Sequence, residues 1–151
     1  MEQKYFLRRK QVEPCRSGWK KFMKSCYFNP TYTAGWATAR RKCQKLSSDL
    51  VVITSAEEQK FLTSNYRSNN WIGLTDEAKE DVWLWIDGTL HRNSSGFWCK
   101  DEPNNTSNNN SNGENCAAIW ALPPCQSEWK DENCFRSLNF ICEKQTSCSC
   151  L

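Results

Sequence analysis

Apolar positions recur at helical spacing in two places in the first half of the chain. Trp36, Ala39, Cys43 and Leu46 lie three and four residues apart, which is one face of a helix, and Thr33 stands where its hydroxyl would cap the first turn. Ser55-Ala56-Glu57-Glu58 is a capping-box sequence, with Phe61 and Leu62 following to be buried. Beyond residue 70 the pattern shortens to strand-like runs. Residues 71–74 are apolar, and residues 82–86 put Trp83 and Trp85 on one face and Val82, Leu84 and Ile86 on the other, ending in a turn at Asp87-Gly88. Residues 116–120 and 138–142 are further apolar runs. Helices first, then short strands between long polar loops, predict an α+β domain rather than alternating βαβ units. Residues 104–112 are almost all Asn, Ser and Thr, a composition that buries nothing and predicts a surface loop.

The chain has 151 residues, the size of one domain. Ten Cys belong to a disulfide-rich chain of an oxidising compartment. They conflict with residues 1–10, which have no apolar core for a secretion signal, and we read residues 1–13 as a basic stalk remnant of a longer membrane or secreted protein. No apolar run is long enough to span a membrane. Cys148-Ser149-Cys150-Leu151 formally fits a prenylation box, but prenylation is cytosolic and the other cysteines argue against that compartment. A net charge of +3 is too small a bias to indicate nucleic acid, and a single His excludes sites that need two.

The chemistry concentrates in three loops. Glu102-Pro103-Asn104-Asn105 follows Trp98, Glu114-Asn115 precedes Cys116, and Trp129-Lys130-Asp131-Glu132 precedes Cys134. Carboxylates and amides gathered on stapled loops suit a hard cation such as calcium, which takes six to eight oxygens. Pro103 lies between two candidate ligands, and a cis peptide there would turn both neighbouring side chains toward one point.

With Trp71-Ile72-Gly73-Leu74 and Asn139-Phe140-Ile141-Cys142-Glu143, these motifs make residues 14–144 resemble a C-type lectin-like domain of the long form. They are most similar to the mannose-type lectins of myeloid and dendritic cells or their fish relatives. The resemblance implies disulfides Cys15–Cys26, Cys43–Cys142 and Cys116–Cys134. Cys99 and Cys125 both fall on the loop side and are candidates for a fourth bridge. Cys148 and Cys150, in the tail 145–151, are too close together for a relaxed mutual bond and are candidates for an inter-chain link.

The resemblance further implies calcium held by Glu102, Asn104, Glu114 and Asp131. The same residues with Lys130 would contact a sugar through two vicinal equatorial hydroxyls, as in mannose, N-acetylglucosamine and fucose. A second, weaker metal site would use Asp76, Glu80, Asn105 and Asn115. One position departs from the pattern: where the family has Asn, this chain has Lys130, which offers no acceptor oxygen. An ammonium about 4 Å from a divalent ion would be repelled by roughly 8 kcal/mol at an effective dielectric of 20, so Lys130 should swing outward. The implied role is a cell-surface or secreted recognition lectin of innate immunity, extracellular and not an enzyme. Weak single-site affinity would call for clustering through the stalk or the Cys148/Cys150 tail. The alternative is a calcium-independent receptor domain that binds a protein ligand.

Four glycosylation sequons start at Asn93, Asn104, Asn105 and Asn109, and modification at Asn93 or Asn109 would spare the metal site. Trp71, Trp83, Trp85 and Trp129 are expected in the core, leaving Trp120 and Trp98 as the tryptophans able to reach a sugar. His91, beside turn residues, is expected to be a solvated surface side chain.

Overall fold

The computed structural model describes residues 14–92, 96–104 and 114–146. The stalk, the sequons at Asn93, Asn105 and Asn109, Asn105 as a metal ligand and the Cys148/Cys150 link lie outside the described residues. The order of elements is β1 (Lys20–Phe22), β2 (Ser25–Phe28), α1 (Trp36–Lys45), β3 (Asp49–Leu50), α2 (Ala56–Asn65), β4 (Asn70–Thr75), β5 (Leu84–Trp85), β6 (Cys116–Ile119), β7 (Trp129–Glu132), β8 (Asn139–Phe140) and β9 (Cys142–Gln145). No described helix is long and apolar enough to cross a membrane.

Two small sheets divide the work. The first, in order β1-β2-β9-β3, brings the two ends of the domain side by side, with Cys26 opposite Lys144. The second, in order β5-β4-β6-β7 with β8 parallel to β4, carries the loops of the candidate site. The apolar run at residues 138–142 is not one strand. It bridges Ala34 at Leu138, pairs with β4 through β8, and then crosses at Ile141 to join the other sheet as β9.

The second helix starts as its sequence requires. Ser55 Oγ accepts from the Glu58 N–H (3.1 Å), while the Glu58 carboxylate reaches back to the Thr54 N–H (2.8 Å). The first helix starts two residues later than its sequence suggests. Thr33 does not cap it: its hydroxyl instead accepts from Ser137 (2.8 Å), and Ala34 is held extended against Leu138. Gly35 is the N-cap, and Trp36 N–H donates to Cys134 O (2.8 Å). A Cβ on Gly35 would sit 3.2 Å from that same carbonyl oxygen, so a tertiary contact sets the start of this helix.

Trp71, Trp83, Trp85 and Trp129 are all buried, as expected. Residues 82–86 keep their two-faced alternation although only Leu84–Trp85 pairs as a strand. His91 is not a solvated side chain. It is half-buried, with its ring 5.9 Å from Trp85, 5.2 Å from Trp129 and 6.4 Å from Trp98, and Gly96 presses against it.

Gly73 in β4 is a tight point between the two sheets. Its N–H donates to Val51 O (2.8 Å), and a Cβ there would lie 3.0 Å from the Leu50 and Val51 carbonyl oxygens. Both are backbone atoms in a packed core and cannot rotate away. Gly73→Ala is therefore expected to destabilise the domain by about 2 kcal/mol, within the range for overpacked cores, read as a lower urea midpoint at unchanged slope.

Candidate functional site

The site is assembled on β7. Trp129 N–H donates to Phe97 O (2.7 Å) and Cys99 N–H donates to Trp129 O (2.8 Å), so residues 97–99 run alongside the strand. That pairing places the following residues, including Glu102, beside Asp131. Trp98 locks the segment, edge-on to Trp83 at 4.9 Å and to Trp129 at 5.6 Å. It is spent on this packing rather than on reaching a sugar. The Trp129 indole N–H is anchored in turn by Gln59 Oε1 (2.9 Å), whose amide donates to Ser127 O (3.0 Å).

All four disulfides form: Cys15–Cys26, Cys43–Cys142, Cys99–Cys125 and Cys116–Cys134. Two of them staple the site. Cys99–Cys125 ties the Glu102-bearing segment to the loop before β7, and Cys116–Cys134 ties the start of β6 to the end of β7.

Three of the four expected ligands touch one another, and the fourth, Glu114, lies toward the same end of the sheet. The Glu102–Pro103 peptide is cis, and the Asn104 amide donates to Glu102 Oε2 (3.2 Å). The Asn104 backbone N–H donates to Asp131 Oδ1 (3.1 Å), and Asp131 is fully buried. Ala117 faces Asp131 across the β6–β7 ladder, bringing buried Glu114, just before β6, to the same end. Burial raises the Glu102 carboxyl to about 8, with its hydrogen bond to Asp131 and that residue's charge adding to the effect. Burial likewise raises Glu114 to about 7, helped by the charges of Asp131 and Glu132. Glu102 Oε1 is buried and has no hydrogen-bond partner among the described residues. Two glutamates that resist ionisation, one with an orphaned oxygen, beside the buried Asp131 fit a divalent cation of the oxygen-ligated class.

Lys130 is swung out of this cradle. Its ammonium lies over the Trp120 ring, 4.9 Å from the centroid, and 4.0 Å from Glu132 Oε1. Its positive charge still lowers the pKa of both Glu102 and Glu114.

The second expected set is brought together only in part. Asp76 is buried, and Asp81 N–H donates to its Oδ2 (2.9 Å), while Asp76 Oδ1 has no partner among the described residues. Carboxylate oxygens of Asp76, Glu80 and Asp81 all lie within 4.8 Å of one another. Asp81, at a positive φ of 66°, is the residue that sequence reasoning missed. Its signal was adjacency to Glu80, but nothing in a residue pattern foretells that backbone turn. Burial raises Asp76 to about 7, and the nearby Glu80 charge adds to this. Asn115 contributes its carbonyl oxygen to this region by accepting from Asp76 N–H (3.0 Å) and the Thr75 hydroxyl (2.6 Å).

The profile of the Lectin C-type domain matches residues 32–144. C-type lectin domain family 4 member E of Mus musculus is 39% identical over 131 residues, covering 85% of this chain and 59% of that one. The hepatic lectin of Gallus gallus is 36% identical over 127 residues, covering 83% and 58%. The chain therefore spans rather more than half the length of these curated relatives. Among solved structures, the C-type lectin domain of murine dendritic cell inhibitory receptor 2, in complex with N-glycan, superposes with a TM-score of 0.77 at 35% identity over 87% of this chain and 99% of that one. A calcium-independent type II antifreeze protein superposes with a TM-score of 0.78 at 25% identity, covering 91% and 98%. The motifs, the two-sheet fold, its disulfides and these likenesses agree, and the chain belongs to the C-type lectin domain family.

Proposed function

We propose that this domain binds calcium through Glu102, Asn104, Glu114 and Asp131, and through that ion two vicinal equatorial hydroxyls of a mannose-, N-acetylglucosamine- or fucose-bearing glycan. The observation that carries the reading is the buried Glu102 Oε1 without a partner, set among carboxylates whose ionised forms are disfavoured until a cation arrives. Calcium would supply a Lewis-acidic centre to which sugar oxygens bind. The chain's own residues set the pattern of donors and acceptors around it, with carboxylates accepting from hydroxyls and the Asn104 amide and Lys130 donating. Asp76, Glu80 and Asp81 form a second cation site, with Asn115 beside it, whose occupancy would stiffen the loop leading into β5. The role we assign is recognition at a cell surface or in secretion, in innate immunity. Clustering of copies would raise avidity at a weak single site.

The test is a calcium titration by calorimetry on the disulfide-bonded domain, repeated with excess methyl mannoside. Saturable calcium binding in the range of about 10⁻⁴–10⁻³ M, tightened by the sugar, is the expected result. No calcium heat up to about 10 mM, beyond that range, overturns it. Lys130→Asn restores an oxygen ligand and removes a positive charge, so calcium should bind about tenfold tighter, equal to about 1.4 kcal/mol.

A second reading draws on Lys130 itself, which occupies the position of a metal ligand in the family pattern. In it the domain works without metal and binds a protein partner. The calcium-independent antifreeze protein with this fold supports the metal-free part of that reading. Under that reading Lys130→Asn leaves partner binding unchanged.

A further inference from the structure

Trp120 stands half-buried just after β6, one residue beyond Ile119, which pairs with Trp129 of β7. Two cations share its ring: the Lys130 ammonium at 4.9 Å from the centroid and the Arg136 guanidinium at 5.4 Å. One carboxylate serves both. Glu132 Oε1 is 3.0 Å from Arg136, a hydrogen-bonding distance, and 4.0 Å from Lys130, which is not. Glu132 is therefore spent on Arg136, and the cluster keeps one net positive charge. The Lys130 ammonium has no hydrogen-bond acceptor among the described residues. Its three donors are unspent, yet its side chain is only 28% exposed. The Arg136 side chain is 51% exposed and has donors left over from its contact with Glu132.

A tryptophan face that gathers two cationic heads fixes them without neutralising them. Fixed, incompletely paired N–H donors of both kinds, a point charge and a planar fork, are what an oxyanion needs. Their position matters as much as their charge. Lys130 directly precedes Asp131 in β7, and Asp131 Oδ1 accepts from the Asn104 N–H, so the cluster borders the proposed sugar site. The charges of Lys130 and Arg136 are felt at Glu114, and that of Lys130 at Glu102.

We infer that Trp120, Lys130 and Arg136 form an anion subsite beside the sugar site, selecting glycans whose bound sugar carries a sulfate ester or a carboxylate. This rests on the calcium-dependent reading above and names its substrate class more closely. The dependence is physical. Glu102, Glu114 and Asp131 carry three negative charges when ionised, which would repel an anion from the same corner. Two positive charges from calcium offset most of that field, so selection of an anionic sugar operates only on the loaded domain.

The experiment measures inhibition of domain binding to immobilised mannan by three monosaccharides at saturating calcium: N-acetylglucosamine, N-acetylglucosamine 6-sulfate and glucuronic acid. The sulfated sugar should inhibit about fivefold to tenfold better than its neutral parent. A gain for glucuronic acid as well extends the subsite to carboxylates, whereas a gain for the sulfate alone assigns it to sulfate esters. Arg136→Gln should reduce the preference at least threefold while inhibition by N-acetylglucosamine stays unchanged. Lys130→Gln should erase the preference. Equal inhibition by neutral and sulfated sugars, or a preference that survives both substitutions, overturns the inference while leaving the calcium reading intact. Absence of calcium binding in a parallel titration overturns both, and the two failures are distinguished by that measurement.

Discussion

Replacing Cys43 and Cys142 together by serine is expected to lower the stability of the domain by about 4–5 kcal/mol, the largest effect of any disulfide here. The two half-cystines are 99 residues apart and fully buried, one in the last turns of α1 and the other opening β9. In the chain-entropy account, opening a loop of that length releases about 4.7 kcal/mol of denatured-state entropy. Domains of this kind are stable by only about 5–15 kcal/mol, so the variant should be largely unfolded at modest urea concentrations. The 26-residue separation of Cys99–Cys125 predicts a smaller loss, about 3.5 kcal/mol. That bridge, however, holds the segment leading to Glu102. Serines at 99 and 125 should therefore weaken calcium binding more than serines at 43 and 142 do in whatever fraction stays folded. Urea unfolding and calcium titration of the two variants separate these roles. An unfolding midpoint for the Cys43/Cys142 variant equal to that of the parent would refute the ranking.

How much of this was legible beforehand differs from residue to residue. The second helix was, because a capping box and its buried face are local in sequence. Residues 82–86 were also legible, since burial follows a two-residue period even where strand pairing lasts only two residues. The start of the first helix was not. Thr33 has the right chemistry for a cap, but Gly35 packs against the carbonyl of Cys134, and a contact between residues 99 positions apart leaves no local trace. His91 failed for a similar reason: lying beside turn residues, it gave no periodic signal that three tryptophans would close around it.

The nearness of Glu102 and Asn104 to Asp131 was legible through motif resemblance, and its structural cause is the pairing of residues 97–99 with β7. That these residues and Glu114 hold calcium is the proposal above. The outward turn of Lys130 followed from electrostatics alone. Its destination did not, because Trp120 and Arg136 meet it only across the β6–β7 ladder and the following turn.

Glu102→Gln is expected to remove most of the calcium-induced stabilisation and to flatten the pH dependence of the calcium-free domain. The sign follows from the direction of the shifts. Glu102 at about 8 and Glu114 at about 7 both lie above the ordinary carboxylate value of 4.5. Between the ordinary and the raised values the folded state binds more protons than the unfolded state, so stability falls as pH rises. Without calcium, the domain should be most stable near pH 4–5 and lose stability through pH 7–8. Calcium binds the ionised carboxylates, so its protection should run the other way, small at pH 5.5 and large at pH 8. With the ion about 30-fold above its Kd, the gain is about 2 kcal/mol, or about 4–8 °C in Tm for a domain of this size. Glutamine at 102 keeps the volume but removes one negative charge, so calcium should bind more than tenfold more weakly. The calcium-induced Tm shift at pH 8 should then fall to less than half.

Asp76, raised to about 7, contributes a slope of the same sign. Asp76→Asn provides the control, because it should reduce the calcium-free slope while leaving sugar-linked calcium binding in place. Thermal melts from pH 5 to 8.5, with and without calcium, read all of this from one protein preparation. Parallel pH profiles with and without the ion would show that these carboxylates do not hold it.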